Sequence, residues 1–431
     1  MMSTSVLKCI ACGLAYSVQE IRYTCDCGAL LEYVHDFSQF DRDGRAWREL
    51  FDARLSLLAL PYCSGVWRFK ELVMPFLPED KIVSLYEGNT PLYPATAPLR
   101  DHFGVKRLFF KHSGMCPTLS FKDYGMTVLV SIAHWLDVKG IACASTGDTS
   151  AAMAAYAAQL ASKGLRGVVL VPKGKISFEQ LSQPISSGVV TLELDTDFDG
   201  CMRIVEELTD KHPVYLANSK NSSRIEGQKA IAFEIVQQLR WEAPDWIVVP
   251  MGNAGNLAAI GKGLWEMKTL GIIGRLPRLA AIQSASANPM YLSYLTGFER
   301  FEPVVPKPSV ASAIWIGNPV SRDKAIRELK RSNGVVEQIS EEELLDAKAK
   351  VDASGIYVCP QGGVAAAGLK KLREKGVIGE DETVVVLITA HGGKFSQATV
   401  DYHSDPKSRY GNRPIRLGAS LKEVERVLEL G

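Results

Sequence analysis

The sequence has almost no excess of charge of either sign. Its 49 lysine and arginine residues are balanced by 48 aspartate and glutamate residues, which gives a formal net charge of +1 at pH 7. Because a nucleic-acid-binding protein usually presents a concentrated basic surface, this balance argues against a nucleic-acid partner. It leaves room for a local basic pocket that binds a small anion.

Long apolar runs are also missing. No stretch reaches the roughly 20 apolar residues that a membrane-spanning helix requires, so we expect no membrane association. The first residues, MMSTSVLKCIACG, contain no apolar segment with a small-residue cleavage site, so we expect no secretory signal. The nine cysteines are scattered among core-like segments apart from one cluster at the start. Their odd number and placement are typical of reduced thiols and indicate a cytoplasmic protein.

What the sequence does contain is an alternation of short apolar runs with longer helix-forming windows, from about Val105 onward. Strands that alternate with helices form βαβ units, so the pattern predicts the α/β class with mostly parallel sheets. A length of 431 residues allows two or three domains. The predicted strands are 107–110, 141–144, 168–172, 189–193, 214–217, 246–250, 279–283 and 383–389.

Lys122 is the leading candidate for a reactive residue. It lies in the run KHSGMCPTLSFKDYGM, behind a Pro-Thr pair and an apolar residue. An amine kept out of water loses its charge more easily, and a neutral amine can attack a carbonyl to form a Schiff base. Taken alone, such a lysine is more typical of an exposed helix start. A phosphate-binding loop elsewhere in the chain makes the reactive interpretation the stronger one.

That loop is GNAGN, at residues 252–256, between the strand-like DWIVVP and the helix-forming LAAIGKGLWEM. Its glycines permit a tight turn, and its small side chains let backbone amides approach phosphate oxygens. A strand-to-helix turn without a ligand is the alternative. The loop lacks the lysine of a nucleotide P-loop, so ATP and GTP are not favoured.

Two further polar segments each open a predicted helix. Residues 144–150, ASTGDTS, offer free amides and hydroxyls that suit a carboxylate, although Thr, Asp and Ser are also ordinary helix caps. Residues 218–224, NSKNSSR, offer Arg224 and several Asn and Ser donors, which suit a second phosphate. A solvated loop with a helix cap explains this segment equally well.

The last buried strand ends at Thr389 and continues into His391-Gly392-Gly393. A hydroxyl at the carboxyl end of a strand is well placed to touch a ligand in an open α/β sheet. His391 could act as an acid or base, but a histidine bonded to nearby backbone is the more common case.

The cysteine cluster consists of Cys9, Cys12, Cys25 and Cys27. Four neighbouring thiolates bind Zn²⁺ tetrahedrally, so the spacing is similar to a small zinc ribbon. The second half is C-x-C in place of the usual C-x-x-C. Reduced thiols without metal and a labile disulfide therefore stay open as alternatives to a structural zinc.

Taken together, these segments resemble the threonine synthases, which are pyridoxal phosphate enzymes of fold type II, and among them the plant-type branch. The resemblance covers nearly all of the chain, and the segments that carry it are WRELFDARL, PYCSGVWRFKE, YEGNTPLY, KHSGMCPTLSFKDYGMTVLVS, CASTGDTSAAMAAYAA, DTDFDGC, LANSKNSSRIEGQK, VVPMGNAGN, SANPMYL, ASAIWIGNPVS and TAHGGKF. The N-terminal cysteines resemble a short ribbon that precedes this fold in some prokaryotic relatives.

The resemblance implies the cofactor pyridoxal 5'-phosphate, bound covalently to Lys122. It implies phosphate contacts from Gly252, Asn253, Ala254, Gly255 and Asn256, a ring-nitrogen contact from Thr389 and a position beside the phenolic oxygen for Asp148. It further implies that Ser145, Thr146 and Thr149 bind the substrate carboxylate and that Asn218, Ser219 and Arg224 bind the substrate phosphate.

The same resemblance implies a carbon–oxygen lyase that converts O-phospho-L-homoserine and water into L-threonine and phosphate, and a homodimer. It implies two open, mostly parallel sheet domains with the cofactor between them. We expect a zinc-ribbon-like segment at 1–36, a helical arm at 37–80, a large domain at 81–125 and 225–431, and a small domain at 126–224. A related cysteate synthase or threonine ammonia-lyase, and an inactive scaffold, are the alternative functions.

Three residues depart from the family pattern. Leu119 stands where the motif PTGSFKD has glycine, so the local backbone or the space for substrate is expected to differ. Asp148 stands where many relatives have asparagine, although the plant-type branch shares the aspartate. Gly393 replaces the leucine of HGLK, which we expect to affect packing more than chemistry.

Overall fold

The structure is a computed structural model, and it describes residues 5–145, 147–174 and 178–430. The strands are β1 (Ser5–Cys9), β2 (Ala15–Ser17), β3 (Leu31–His35), β4 (Leu92–Pro94), β5 (Arg107–His112), β6 (Gly140–Ala144), β7 (Arg166–Pro172), β8 (Val190–Leu194), β9 (Val214–Leu216), β10 (Trp246–Pro250), β11 (Arg278–Ser284), β12 (Val335–Ile339) and β13 (Thr383–Ile388). The helices are α1 (Gly44–Ala53), α2 (Lys70–Val73), α3 (Ala97–Phe103), α4 (Lys122–Trp135), α5 (Asp148–Ala158), α6 (Phe178–Ser186), α7 (Phe198–Lys211), α8 (Ser223–Gln228), α9 (Ala230–Gln238), α10 (Gly255–Thr269), α11 (Pro289–Leu295), α12 (Arg322–Arg331), α13 (Glu341–Asp352), α14 (Pro360–Glu374), α15 (Ser396–Ser404) and α16 (Leu421–Leu428).

A six-stranded sheet forms the larger layer, in the order β12-β11-β10-β13-β5-β4. All neighbouring pairs are parallel except β4 with β5. All residues of the central strand β10, WIVVP, are buried. Continuous apolar runs of this kind are typical of parallel strands that are covered on both faces.

A second, four-stranded sheet has the order β8-β7-β6-β9 and is parallel throughout. Its strands lie in the chain between α4 and α8, so the chain enters this sheet through α4 and leaves it through α8. The two parallel sheets confirm the predicted α/β class with two open sheets.

The two connecting helices, α4 and α8, pack backbone against backbone. A Cβ atom at Gly227 would lie 1.8 Å from the carbonyl oxygen of Tyr124, and one at Gly125 would lie 2.9 Å from that of Arg224. Glycine at both positions therefore permits this close approach, and a side chain at Gly227 would push the helices apart.

Residues 5–35 contain a three-stranded antiparallel sheet with the order β2-β1-β3. Short helices, α1 and α2 among them, follow between this ribbon and β4. No helix in the described part of the chain has both the length and the apolar character needed to cross a membrane.

The eight strands predicted from apolar runs correspond to β5–β11 and β13. The list of apolar runs did not include β12 or the four strands before residue 105, β1–β4. The helix-forming window at residues 224–239 folds as two helices, α8 and α9, with Lys229 between them. The predicted domain boundaries stay a prediction, although β6–β9 all lie within the range 126–224.

Candidate active site

A cavity of about 510 Å³ lies where the carboxyl ends of strands from both parallel sheets meet. Residues that directly follow β6, β9, β10 and β13 line it, as expected for an open α/β fold. The predicted site residues that line it are Lys122, Ser145, Asp148, Thr149, Asn218, Ser219, Arg224, Gly252, Asn253, Ala254, Gly255, Asn256 and Thr389. Thr146 lies outside the described residues.

Lys122 is the first residue of α4, and its side chain is partly buried. Burial lowers the pKa of its amine to about 7, against an opposing effect of Asp148 and with smaller contributions from Arg224 and Lys394. The amine nitrogen lies 3.8 Å from the centroid of the Phe121 ring. At neutral pH a large share of this amine is therefore unprotonated and nucleophilic.

The loop Met251–Asn256 meets the N-terminus of the 15-residue helix α10. A Cβ atom at Gly252 would lie 2.8 Å from the Cα atom of Ile314, so the 3-10 turn Ser312–Ile314 packs directly against the backbone of this loop. Ala254 has a φ of 63°, which turns the chain into the helix. The free amides of the first helical turn therefore point toward the cavity, as an anion site requires.

Several buried polar atoms around this loop have no hydrogen-bond partner among the described residues. They include both polar atoms of the Asn256 side chain, the hydroxyl of Ser321 and the amide of Gln361. All three residues line the cavity. Because an unpaired buried polar group costs about 1–3 kcal/mol, these atoms indicate a polar ligand at this place.

Thr389 follows the buried strand β13, and its hydroxyl oxygen lies 3.7 Å from the Cys359 sulfur. His391, in contrast, does not line the cavity. Its Nδ1 accepts a hydrogen bond from the Gly393 amide, and its ring packs against Tyr357. These contacts favour a structural role for His391 over a role as an acid or base.

Arg224 is buried, and burial lowers the pKa of its guanidinium to about 10, so it stays a cation at neutral pH. It donates to the carbonyl oxygen of Ala217 at 3.2 Å and to the Thr149 hydroxyl at 3.5 Å. Its Nε has no partner among the described residues. A buried cation with a free donor indicates an anionic ligand.

Asn218 lines the cavity and is also bonded to the end of β6. Its side-chain oxygen accepts from the Ala144 amide at 3.0 Å, and its side-chain nitrogen donates to the Ala144 carbonyl at 2.8 Å. The side chain therefore ties the loop after β9 to the end of β6. It thereby helps to position Ser219 and Arg224, and its role toward a ligand stays a prediction.

Asp148 begins α5 and forms an ion pair of 2.9 Å with Lys394. Burial alone would raise the pKa of this carboxyl, but Lys394 and Lys122 outweigh burial and lower the pKa below its ordinary value. Sequence reasoning missed Lys394. The available signal was its position shortly after the carboxyl end of β13, where Thr389 also lies.

These residues fit pyridoxal phosphate. Lys122 supplies a buried amine for its aldehyde, the loop Met251–Asn256 supplies a phosphate cradle with unpaired donors, and Thr389 supplies a neutral hydroxyl. Bound there, the cofactor supplies a conjugated ring that takes up electrons from a substrate carbon.

Comparisons with known proteins agree with this fit. The family model described as pyridoxal-phosphate dependent enzyme matches residues 83–390. A threonine synthase 2, chloroplastic, of Arabidopsis thaliana is 48% identical over 96% of this chain and 82% of its own length. A threonine synthase of Methanocaldococcus jannaschii is 40% identical over 98% of this chain and 99% of its own length. The crystal structure of Escherichia coli threonine synthase has a TM-score of 0.69 at 21% identity, covers 99% of both chains and supports the fold.

The fold, the site and the family model define a pyridoxal-phosphate-dependent enzyme. Within that class, the identity to relatives from a plant and an archaeon is high over nearly full length. The chain belongs to the threonine synthase family, which confirms the resemblance seen in the sequence. The alternative activities, cysteate synthesis and threonine deamination, are not favoured.

The four N-terminal cysteines form a second candidate site, away from the cavity. Their sulfur atoms all lie within 4.8 Å of one another, and the pairs Cys9–Cys27 and Cys12–Cys25 are each 3.5 Å apart. Tetrahedral zinc with bonds of about 2.3 Å places its sulfurs roughly 3.8 Å apart, which these distances approach. All four cysteines are free thiols in the structure, and no disulfide joins them.

Proposed function

We propose that this chain converts O-phospho-L-homoserine and water into L-threonine and inorganic phosphate. The observation that carries the proposal is that two groups of unpaired polar atoms, one near the start of α10 and one at Arg224, line the same cavity as Lys122. The unpaired donors near α10 suit the cofactor phosphate, and Arg224 suits the phosphate that the substrate loses. A substrate without that phosphate would leave the Arg224 cation buried and unpaired, which disfavours its binding.

We assign the binding residues as the family resemblance implies, and their position on the cavity wall supports the assignment for all of them except Thr146, which lies outside the described residues. Lys122 binds the cofactor, Gly252, Asn253, Ala254, Gly255 and Asn256 hold its phosphate, and Thr389 contacts its ring nitrogen. Asp148 lies beside its ring oxygen. Ser145, Thr146 and Thr149 bind the substrate carboxylate, and Asn218, Ser219 and Arg224 bind the substrate phosphate.

Lys122 is proposed to carry the protons of the reaction. Once the substrate's own amine has taken its place on the cofactor, the freed Lys122 amine, with a pKa lowered to about 7, can accept protons from Cα and Cβ and return protons to Cγ and Cα. Phosphate leaves from Cγ, the oxygen of water is added at Cβ, and the carbon skeleton keeps its oxidation state overall.

Phosphate release tests the proposal. We expect the purified enzyme to release phosphate from O-phospho-L-homoserine with formation of threonine, and to release little from O-phospho-L-serine. Release from O-phospho-L-serine alone would overturn the threonine assignment.

The variant Arg224→Gln tests the second anion site. Because hydrogen bonds to a charged group contribute about 1.5–3 kcal/mol, we expect kcat/KM for O-phospho-L-homoserine to fall by roughly 10- to 150-fold. Arg203→Gln, at an exposed position of α7, is the matched control and should leave kcat/KM unchanged. Equal losses in the two variants would argue against a phosphate site at Arg224.

We further propose that Cys9, Cys12, Cys25 and Cys27 bind a structural Zn²⁺ ion. The support is the clustering of four sulfur atoms and the two backbone amides, of Ala11 and Cys12, that donate to the Cys9 sulfur at 3.4 Å. Elemental analysis of the purified protein should give about one zinc per chain. A Cys12→Ser/Cys27→Ser variant that retains its zinc would refute this assignment.

A cytoplasmic homodimer with the domain boundaries given above completes the proposal. The free state of all nine cysteines supports a reducing compartment. The Arabidopsis relative is by its name a chloroplast protein, so cell fractionation is the relevant measurement. Light scattering on the eluting protein tests the dimer, and a mass of one chain would contradict it.

A further inference from the structure

Lys394 makes a set of contacts that the reaction described above does not use. Its Nζ atom lies 2.9 Å from Asp148 Oδ1, 3.0 Å from Gln183 Oε1 and 3.2 Å from the carbonyl oxygen of Thr118. The side chain is nearly fully buried. An ammonium group has three N–H donors, so each of them has an acceptor within this chain.

This arrangement separates Lys394 from the ligand. Asp148 lines the cavity and Lys394 does not. Since the three donors of Lys394 are all engaged, it lies behind Asp148 and acts on the cavity only through that carboxylate. Lys394 is therefore a positioning residue and not a catalytic one.

The three acceptors belong to different parts of the fold. Asp148 begins α5 and Gln183 lies in α6, and both helices belong to the four-stranded sheet unit. Thr118 lies in the loop that leads from β5 of the six-stranded sheet to α4. Lys394 itself follows β13 of the six-stranded sheet. One ammonium group thus joins the two sheet units at the rim of the cavity.

The contact continues to the loop that presents Lys122. The backbone amide and the hydroxyl of Thr118 both donate to the Asp123 carboxylate, at 2.8 and 2.7 Å. Asp123 directly follows Lys122 in α4. A displacement of Thr118 would therefore be passed to the first turn of α4 and to the Lys122 amine.

We propose that Lys394 holds the Asp148 carboxylate in its ionised form at the wall of the cavity and fastens α5 and α6 to the loop that presents Lys122. An ionised Asp148 can only accept hydrogen bonds, so it would keep a proton on any ligand oxygen beside it. The charged or titratable groups that act on Asp148 are Lys394, Lys122 and Cys359. The inference rests on the proposed function only for the identity of the ligand beside Asp148.

The test uses the full-length protein with its pyridoxal phosphate removed and then restored. Two readouts are measured, neither of which involves substrate turnover. One is amide hydrogen exchange of α5 and α6 in the cofactor-free protein. The other is the pH midpoint of the rate of pyridoxal phosphate uptake, which follows ionisation of Lys122.

Lys394→Met should speed exchange in α5 and α6. It should also move the pH midpoint upward, because a cation near Lys122 is lost while Asp148 remains. Lys394→Arg keeps the charge and should restore the midpoint. Gln183→Leu removes one acceptor without touching Asp148, so it should speed exchange in α6 and leave the midpoint in place. Lys407→Met, at an exposed lysine, is the matched control for both readouts.

The double variant Lys394→Met/Asp148→Asn completes a cycle with Asp148→Asn alone. A smaller effect of Lys394→Met in the Asp148→Asn background supports direct coupling. Unchanged exchange and an unchanged midpoint in Lys394→Met, or a midpoint in Lys394→Arg displaced as far as in Lys394→Met, would overturn the inference. Failure of the proposed function is recognised separately, by the absence of phosphate release from O-phospho-L-homoserine.

Discussion

Leu119 has a backbone conformation that leucine rarely adopts. Its φ is 61°, in the left-handed region, although it lies three residues before Lys122. Its amide donates to the Cys116 carbonyl at 2.8 Å, and its carbonyl accepts from the His391 amide at 3.0 Å. These backbone hydrogen bonds therefore hold a conformation that glycine would adopt without strain. Leucine in place of glycine therefore leaves the turn of the loop intact but introduces backbone strain at Leu119.

We expect Leu119→Gly to be more stable than Leu119→Ala by about 1 kcal/mol, because only glycine adopts a left-handed conformation without strain. Urea unfolding of both variants measures the difference. Met115 is an exposed residue of the same loop and is not among the left-handed residues of the described chain. There the alanine variant should be at least as stable as the glycine variant. The same order of stability at both positions would contradict the assignment of strain to Leu119.

The lowered pKa of Lys122 predicts a pH dependence for cofactor uptake. Below pH 7 the amine is mostly protonated and unreactive, and above pH 7 it is mostly neutral. The rate at which cofactor-free protein takes up pyridoxal phosphate should therefore rise through a midpoint near pH 7 and then level off. Stopped-flow absorbance measures it. A rate that keeps rising toward pH 10, as for an exposed lysine, would show that the amine is not desolvated.

At the scale of elements, the cysteine ribbon is bound to the loop that precedes Arg224. The Leu31 carbonyl of β3 accepts from the Ser222 hydroxyl at 2.5 Å and from the Lys324 ammonium at 2.6 Å. The Tyr23 hydroxyl accepts from the Leu216 amide at 2.7 Å. The ribbon therefore supports the segment 216–224 from outside, on the side away from the cavity.

Removal of one of these hydrogen bonds should lower the affinity for the proposed substrate. For Ser222→Ala we expect KM for O-phospho-L-homoserine to rise about fivefold with a smaller change in kcat, since one hydrogen bond contributes about 1 kcal/mol. The affinity for pyridoxal phosphate serves as an internal control, because the loop Met251–Asn256 belongs to the other sheet. An equal loss of both affinities would point to general unfolding and not to a local support.

The elements and the cavity were predictable from the sequence to different degrees. Apolar runs predicted the buried strands because parallel strands covered on both faces need continuous apolar sequence. The strand β12 was missed because Glu337 and Gln338 interrupt its apolar run; Glu337 is nonetheless buried and pairs with Lys375 at 2.5 Å. Most cavity residues were predicted from loops at strand ends. Lys394 was missed because its partners are distant in sequence, and no local pattern reports such an ion pair.

At the scale of the whole molecule, a network of buried charges joins the ribbon to the helices beneath it. Glu226 of α8 is fully buried and pairs with Lys229 at 2.5 Å and with Lys262. Its second oxygen also accepts from His35 of β3 at 3.2 Å. Lys229 and Lys262 hold the pKa of Glu226 well below its ordinary value, although burial opposes them. The Glu226 carboxylate therefore links the ribbon, α8 and α10.

Glu226→Gln should destabilise the protein by about 3–5 kcal/mol, because it leaves two buried cations with too little compensating charge. Thermal unfolding measures the loss. Glu49→Gln is the matched control, since Glu49 pairs with Arg45 at 2.7 Å in an exposed i,i+4 position. That substitution should change the free energy of unfolding by less than about 0.5 kcal/mol. Similar losses of unfolding free energy in the two variants would show that the buried network stabilises the protein no more than an exposed ion pair does.

The contact between α4 and α8 has a consequence for any opening of the cleft. The described chain passes between the two sheets only at these two helices. Gly125 and Gly227 allow the backbones of the two helices to approach closely. A swing of one sheet against the other must therefore turn about this helix pair, and points near a rotation axis move least. Lys122 and Arg224 lie in the first turns of these helices. The separation between the Lys122 amine and the Arg224 guanidinium should therefore stay constant while the outer rim of the cavity widens.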